Sequence, residues 1–221
     1  YKRQGVNLDQ FLKMHDDPEF KRMIVDADLI TADGHPIVWT SWLWGTPLPE
    51  RVPGIDLFEA LLPVSAQKGY KIFLLGAKEE SMQAAAEAYL AQNPGLQIAG
   101  RRNGYFTEED EAEIVEQINA CGADMLFIAI SSPKKEAFVE RNREALQVKF
   151  VLGVGGAFDI AAGLTSRAPI WMRRVGIEWV WRLSQEPKRM WPRVRDNFGF
   201  VRVIAKETVR RRVLRRRPSA G

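Results

Sequence analysis

One aspartate stands where the chain could hold a general base. In the stretch LITADG, a short apolar run leads directly into Asp33 and a glycine. Asp-Gly is a common turn, because glycine accepts a positive φ and the aspartate carboxylate bonds its own backbone. The same order also places a carboxylate at the end of a β-strand, where α/β enzymes bind their ligands. Asp33 is therefore either a turn residue or a base.

A glycine-rich stretch, GVGGAFD, could hold a diphosphate or a sugar. Gly155 and Gly156 would let backbone N–H groups approach a phosphate, and Asp159 could bind sugar hydroxyls. The spacing does not complete G-x-G-x-x-G and no strand with a ribose-binding acid follows, so NAD binding is disfavoured. The structural alternative is a tight turn that caps the next helix.

Basic side chains accompany two further loops. Ser132 could cap the helix that begins in SSPKKE, and Lys135 in its first turn opposes the helix dipole unless an anion binds there. Arg51 lies in the loop PERVPG, and its fork of donors suits a diphosphate. Solvated side chains are the alternative for both cations. Asp56 is a second candidate base, but its spacing to Glu59 favours a helix cap.

These residues need secondary-structure elements that bring their loops together. Between residues 71 and 154, short apolar runs alternate with helical runs. This alternation predicts βαβ units and a parallel sheet, with ligands at the carboxyl ends of the strands. Those ends carry GAK, RRNGYF, SSPKKE and GVGGAFD. The predicted fold class is α/β, a Rossmann-like parallel sheet flanked by helices.

The rest of the chain divides into two less regular parts. The first 68 residues predict short helices, the strand of LITADG, and a loop rich in Trp and Pro at residues 34–53. We predict one domain over residues 1–180, made of a small irregular N-terminal lobe (about 1–68) and a Rossmann-like part (about 69–180). Residues 181–221 form a basic amphipathic C-terminal appendage, predicted to be helical.

The appendage carries an excess of positive charge. Residues 187–221 hold twelve Lys and Arg against two acids, a net +10, which leaves −6 for the rest of a chain whose total is +4. Such tails bind phosphates of nucleic acid or of lipid. The uncharged run at residues 34–49 contains three prolines and is too short to span a bilayer, so contact with a membrane would be peripheral. A lone Cys121 fits a reducing compartment, and two histidines make a zinc site improbable.

The motifs resemble those of the WecG/TagA/CpsF family, glycosyltransferase family 26. Over about residues 7–189, in family order, the matching segments are ADLITADG, GTPLPERVPGIDLFEALL, KIFLLGAK, GYF, SSPKKE, GVGGAFDIAAGLTSRAP and GIEWVWRLSQEPKR. The resemblance makes residues 1–180 the glycosyltransferase domain. It implies transfer of a sugar, with inversion, from a UDP-sugar to a polyprenyl-diphosphate-linked saccharide, without a metal or other cofactor. It also implies a peripheral protein at the cytoplasmic face of the bacterial inner membrane, acting in cell-envelope or exopolysaccharide synthesis.

The resemblance also assigns roles to residues. It implies that Asp33 takes the proton of the acceptor hydroxyl and that Arg51 stabilises the leaving diphosphate. Together with the strand ends, it gives as substrate-binding residues Asn7, Thr31, Gly34, Gly76, Lys78, Ser132, Lys135, Glu136, Gly155, Gly156, Asp159, Arg182 and Arg189. The chain departs from the family at Gly5, usually Thr, at Lys135, usually Gln, and at His35-Pro36. We expect Lys135 to contact an acidic donor sugar or to compensate charge at the diphosphate.

The expected partners are the UDP-sugar, the lipid-linked acceptor and an anionic membrane surface, and a homo-oligomer stays open. The arginines expected to bind the membrane are Arg210, Arg211, Arg212, Arg215, Arg216 and Arg217. Two tryptophan clusters would serve as an interfacial belt or as sugar-stacking platforms. A nucleic-acid-binding protein is the rival hypothesis, which explains the tail but neither Asp33 nor the glycine-lined strand ends. We therefore expect no nucleic-acid partner.

Overall fold

Six parallel strands form a single sheet in the computed structural model, which describes residues 1–215 except for the side chains of residues 189, 193, 196–198 and 212–215. The order across the sheet is β2-β1-β6-β5-β3-β4. The strands are β1 (Lys2–Val6), β2 (Leu29–Ala32), β3 (Lys71–Gly76), β4 (Gln97–Arg102), β5 (Met125–Ala129) and β6 (Phe150–Gly153). The predicted Rossmann-like α/β fold is confirmed.

Helices connect these strands and follow the last of them. They are α1 (Leu8–Asp16), α2 (Pro18–Val25), α3 (His35–Leu43), α4 (Gly54–Lys68), α5 (Glu79–Gln92), α6 (Glu111–Ala120), α7 (Lys134–Arg141), α8 (Ala157–Ala161), α9 (Ile170–Arg174), α10 (Glu178–Gln185) and α11 (Pro187–Arg215).

The core lies on both faces of the sheet. Successive residues of a strand point to opposite faces, so Leu74 of β3 packs in one cluster with Phe58 of α4, while Leu75 packs in the other with Phe138 of α7. Helices cover both faces, and the central strands are therefore almost continuously apolar. This is why β3 and β5 were readable from the sequence.

Strand β1 was not predicted from the sequence. Its Lys2, Arg3 and Gln4 are all buried, although they are polar. Their hydrogen-bond partners lie far away along the chain: Lys2 Nζ donates to Glu140 Oε2 at 3.2 Å and Gln4 Nε2 to Glu136 Oε1 at 3.0 Å. Such pairing is what makes buried polar groups tolerable. The segment predicted as an irregular N-terminal lobe thus supplies β1 and β2 to the sheet.

Three local predictions are corrected by the structure. The expected loop at residues 34–53 contains α3, whose Pro36 sits in the first turn, where proline is tolerated. Asp56 does not cap α4, because the helix already begins at Gly54 and the Asp56 carboxylate pairs with Arg167. Ser132 does not cap α7, since Pro133 occupies the cap position and the Ser132 hydroxyl bonds no group in the described part of the chain.

The C-terminal appendage is helical, as predicted, and packs against the N-terminal part of the chain. The Phe11 and Phe200 rings of α1 and α11 meet edge to face with centroids 5.6 Å apart. Trp44 donates its indole N–H to Thr208 Oγ1 at 3.0 Å, and the Arg211 guanidinium lies 4.1 Å from its ring centroid. These contacts carry α11 across the carboxyl end of the sheet.

Candidate functional site

A cavity of about 1980 Å³ opens at the carboxyl edge of the sheet. The residues that directly follow five strands contribute to its wall, as expected where parallel strands end together. They are Asn7, Asp33, Ala77, Ile130 and Val154. Residues of α10 and α11, among them Glu178, Arg182 and Val203, line it as well. The appendage is therefore part of the cavity wall.

The Asp33 carboxylate belongs to this wall and meets the start of a helix. Its Oδ2 accepts the backbone N–H of Gly54, the first residue of α4, at 3.4 Å. The backbone N–H of Asp33 donates to the carbonyl of Val6 at 2.8 Å, which extends the pairing of β1 and β2 by one residue. The side chain therefore bonds a helix N-terminus, where negative charge is favoured.

Opposing effects act on the protonation of Asp33. Burial raises the pKa of its carboxyl above the ordinary value, while the Gly54 amide and the cations Arg3, Lys135 and Arg51 act in the opposite direction. A carboxylate with a raised pKa is a stronger base, provided that it is ionised at the working pH. This environment suits a group that accepts a proton.

Arg51 enters the cavity in an ion pair with the first residue of α10. Its Nη1 lies 3.1 Å from Glu178 Oε2, and both side chains are only 16% exposed. Glu178 in turn lies 3.6 Å from Arg182, one helical turn later on α10. Arg51 and Arg182 were predicted from the sequence but Glu178 was not, because nothing in its spacing signals a partner 127 residues away.

Lys135 crosses the carboxyl end of β6 and enters the same cavity. A Cβ added to Gly153 would lie 2.7 Å from Lys135 Nζ, so the missing side chain of this glycine leaves the lysine its path. The ammonium pairs with Glu136 Oε1 at 3.0 Å. Glu136 is buried away from the cavity and also accepts hydrogen bonds from Gln4 and Gln10. Its observed contacts anchor α7 to the first strand and helix.

Thr31 and Gly76 support the site from behind rather than lining the cavity. Thr31 Oγ1 accepts a hydrogen bond from Arg3, a buried β1 residue that the sequence analysis missed. Gly76 has φ +132°, and an added Cβ would lie 2.4 Å from the carbonyl oxygen of Ala129. Only glycine therefore allows β3 and β5 to approach here.

The other predicted substrate-binding residues divide into two groups. Those that line the cavity are Asn7, Lys78, Ser132, Lys135, Gly155, Gly156, Asp159 and Arg182. Asn7 also caps α1, since its Oδ1 accepts the N–H of Gln10 at 3.1 Å. Gly34 and Glu136, like Thr31 and Gly76, are outside the lining, and the side chain of Arg189 lies outside the described part of the chain. Substrate binding by all of these residues stays a prediction.

The arginines predicted to bind a membrane are described only in part. Arg210 and Arg211 are exposed on α11, and both lie near Glu207. The side chains of Arg212 and Arg215, and all of Arg216 and Arg217, fall outside the described residues. No helix within residues 1–215 is long and apolar enough to cross a bilayer. The described side chains also include no cluster of three or more His, Cys, Asp or Glu suited to a metal ion.

Comparison with known proteins agrees with the motifs at this site. The family model described as "Glycosyl transferase WecG/TagA/CpsF family" matches residues 4–214. A relative from Bacillus spizizenii, named N-acetylglucosaminyldiphosphoundecaprenol N-acetyl-beta-D-mannosaminyltransferase, is 34% identical over 189 residues. The matched region covers 86% of this chain and 72% of the relative. The chain therefore belongs to the WecG/TagA/CpsF family of glycosyl transferases.

Proposed function

We propose that the protein transfers a sugar from a UDP-sugar to a saccharide on a polyprenyl diphosphate, with inversion at the transferred carbon. The observation that carries this proposal is the Asp33 carboxylate, which meets the cavity at a strand end with Arg51 and Lys135 beside it. The name of the Bacillus relative, which contains a diphosphoundecaprenol-linked acceptor, supports the acceptor class. The product would serve cell-envelope or exopolysaccharide synthesis.

The proposed step is a single displacement. The acceptor hydroxyl oxygen attacks C1 of the donor sugar from the face opposite the diphosphate, and its proton passes to the Asp33 carboxylate. The new bond joins C1 to the acceptor oxygen, while the bond from C1 to the UDP oxygen breaks and its electron pair leaves with UDP. A positioned base that takes up the proton as the bond forms contributes about 10²–10⁴ in rate.

The departing diphosphate gains negative charge and requires stabilisation. Arg51 offers a planar fork of donors, Lys135 a point charge, and Gly155 and Gly156 backbone N–H groups on the cavity wall. We propose that these groups supply the charge stabilisation that other glycosyltransferases obtain from a metal ion. Addition of EDTA to the transfer assay tests this part, because a metal-dependent enzyme would lose its activity.

The cavity has room and chemistry for two substrates. Its volume of about 1980 Å³ exceeds the roughly 300–1,000 Å³ of a typical small-ligand site. Between α1 and α11 its wall combines the apolar side chains of Leu12, Met190 and Val203 with charged ones such as Lys13 and Asp16. Near β3 and β4 the wall carries Lys78 and Thr107. We propose that the end near β3 and β4 holds the nucleotide and that the end between α1 and α11 holds the lipid-linked acceptor.

An exposed apolar surface supports peripheral attachment to a membrane. The exposed side of helix α3 is apolar, which is unusual for a helix that faces water. Trp39, Trp42 and Leu43 are each more than half exposed, whereas the polar Thr40 and Ser41 are buried. Trp171 of α9 is exposed as well. Gly176, which follows α9, packs closely against α3, because an added Cβ would lie 3.1 Å from the Trp39 ring. Tryptophans of this kind anchor proteins at bilayer surfaces. We place this attachment on the cytoplasmic face, where nucleotide sugars are available.

The proposal is tested by transfer of radiolabelled sugar from a panel of UDP-sugars to GlcNAc-diphosphoundecaprenol, followed by NMR of the anomeric centre. Product with the inverted configuration supports the proposal, and no transfer from any donor contradicts it. Flotation with vesicles of anionic lipid, compared with a gel shift on DNA and RNA, tests the attachment. Binding to nucleic acid without binding to vesicles would favour the rival hypothesis.

A further inference from the structure

Arg3 is a buried cation that forms no ion pair with any described side chain. It lies on β1 and is only 2% exposed. Its Nη2 donates to Thr31 Oγ1 and to the carbonyl oxygen of Val52, which are both neutral, and its Nε has no partner among the described residues. No ion pair among the described side chains includes Arg3. Charged groups are seldom buried without a counter-charge, because desolvation is costly. The position of Arg3 therefore needs an explanation.

The nearby Asp33 carboxylate explains the buried position of Arg3. A Cβ added to Gly5 would lie 3.2 Å from Arg3 Nη1 and 3.3 Å from Asp33 Oδ2, so both groups border the same small space. A Cβ added to Gly54, whose N–H bonds Asp33, would also lie 3.2 Å from Arg3 Nη1. Two glycines thus keep side chains out of the space between the guanidinium and the carboxylate.

Other cations also face Asp33, but each has its own partner. Lys135 reaches it from α7 and is paired with Glu136 at 3.0 Å. Arg51 reaches it from the loop before α4 and is paired with Glu178 at 3.1 Å. The carboxylates of these partners oppose the field of the two cations at Asp33. The charge of Arg3 is not offset in this way.

We propose that Arg3 is a positioning residue that keeps the Asp33 carboxylate ionised and oriented for proton transfer. This inference rests on the proposed function, because only a base must be ionised before the substrate binds. Arg3 cannot reach the reacting atoms itself, since it is held under the site by Thr31 and Val52. An opposite charge within about 4–6 Å shifts an aspartate toward its charged form by roughly 1–3 pH units.

The test is a titration of Asp33 in the whole protein by ¹³C-carboxyl NMR, which requires no substrate. The Asp33 signal is assigned by its loss in Asp33→Asn. We expect Arg3→Met to raise the titration midpoint of this signal by about 1–3 pH units. Arg3→Lys keeps the positive charge, so its titration midpoint is expected to lie at least halfway back from that of Arg3→Met to that of wild type. Equal midpoints in wild type and Arg3→Met, or equal midpoints in the Met and Lys variants, would overturn the proposal.

Thermal unfolding shows whether each variant folds. If Arg3→Met does not fold, Arg3→Gln replaces it, because Gln is neutral yet can still donate to Thr31 or Val52. The pH profile of kcat/KM for sugar transfer completes the design, and its acidic limb is expected to move with the NMR midpoint. If neither wild type nor any Arg3 variant transfers sugar, only the proposed function is contradicted. If the Arg3 variants transfer sugar and the Asp33 midpoint does not move, only the role of Arg3 is contradicted.

Discussion

The Arg51 guanidinium lies 3.1 Å from the Glu178 carboxylate, so the loop between α3 and α4 is joined to α10 inside the cavity. A diphosphate that binds Arg51 must approach this carboxylate as well. Removal of the negative charge should therefore favour an anionic ligand, while removal of the positive charge should disfavour it.

We predict opposite effects of the two partners on UDP binding, measured by titration calorimetry. Glu178→Gln is expected to tighten binding about three- to tenfold, as expected when a partly screened like charge is removed. Arg51→Met is expected to weaken binding and to lower kcat about 10²–10³-fold, because a donor to the leaving group is lost. Glu59→Gln is the matched control, since Glu59 pairs with Arg167 outside the cavity lining. Weaker UDP binding by Glu178→Gln would contradict this account.

The Asp33 carboxyl should lower the stability of the fold at neutral pH. Its pKa is raised by burial, so the folded protein holds this proton to a higher pH than the unfolded chain does. Stability is then lost as pH rises from the unfolded pKa of about 3.9 through the folded pKa, at about 1.4 kcal/mol for each pH unit that separates the two pKa values. Asp33→Asn is expected to be more stable than wild type at pH 7 and equally stable near pH 3, by urea unfolding. A variant that is less stable at pH 7 would contradict the raised pKa.

The docking of α11 should depend on the Phe11–Phe200 contact. Loss of this edge-to-face pair and its buried surface in Phe200→Ala is expected to cost about 1–2 kcal/mol of docking free energy. Because Arg202 and Lys206 lie in the same part of the helix, trypsin should cleave there several-fold faster. Val201→Ala is the control, since Val201 is 65% exposed. Equal cleavage of the two variants would show that α11 is held by other contacts.

Lys135 should influence the choice of donor sugar. Its ammonium pairs with Glu136 but is on the cavity wall, where it can still attract the carboxylate of an acidic donor sugar. In a panel of neutral and acidic UDP-sugars, we expect Lys135→Gln to lower the relative kcat/KM for uronic donors about tenfold, which is typical of the loss of a charged hydrogen bond. An unchanged preference would leave Lys135 with a role at the diphosphate or in packing.

How well a feature could be predicted from the sequence depends on how far apart along the chain its contacting residues lie. Strands β3 and β5 and the glycine loops are encoded locally, and parallel strands end at the same edge, so Asp33 and Gly155 could be placed together in advance. Strand β1 could not, because its polar side chains are buried against Glu136 and Glu140, more than 130 residues away. Helix α3 was hidden by its proline and by apolar residues that follow no helical period.

The same limit applies to the site. Arg3 and Glu178 carry no motif, and their importance follows only from the groups that the fold brings beside them. Arg3 is next to Asp33 because β1 and β2 pair in parallel, with Arg3 opposite Leu29 and Val6 opposite Ala32. Glu178 is next to Arg51 because α10 returns over the cavity. Neither relationship is visible before the chain is folded.

The most direct test of the account is the transfer of radiolabelled sugar to GlcNAc-diphosphoundecaprenol by wild type, Asp33→Asn and Asp56→Asn. Asp56 is the matched control, because its carboxylate pairs with Arg167 and does not line the cavity. The account predicts that Asp33→Asn still binds UDP but loses at least about 10²-fold in kcat, whereas Asp56→Asn stays near wild type. Near-full turnover by a folded Asp33→Asn would contradict the central claim that Asp33 is the base.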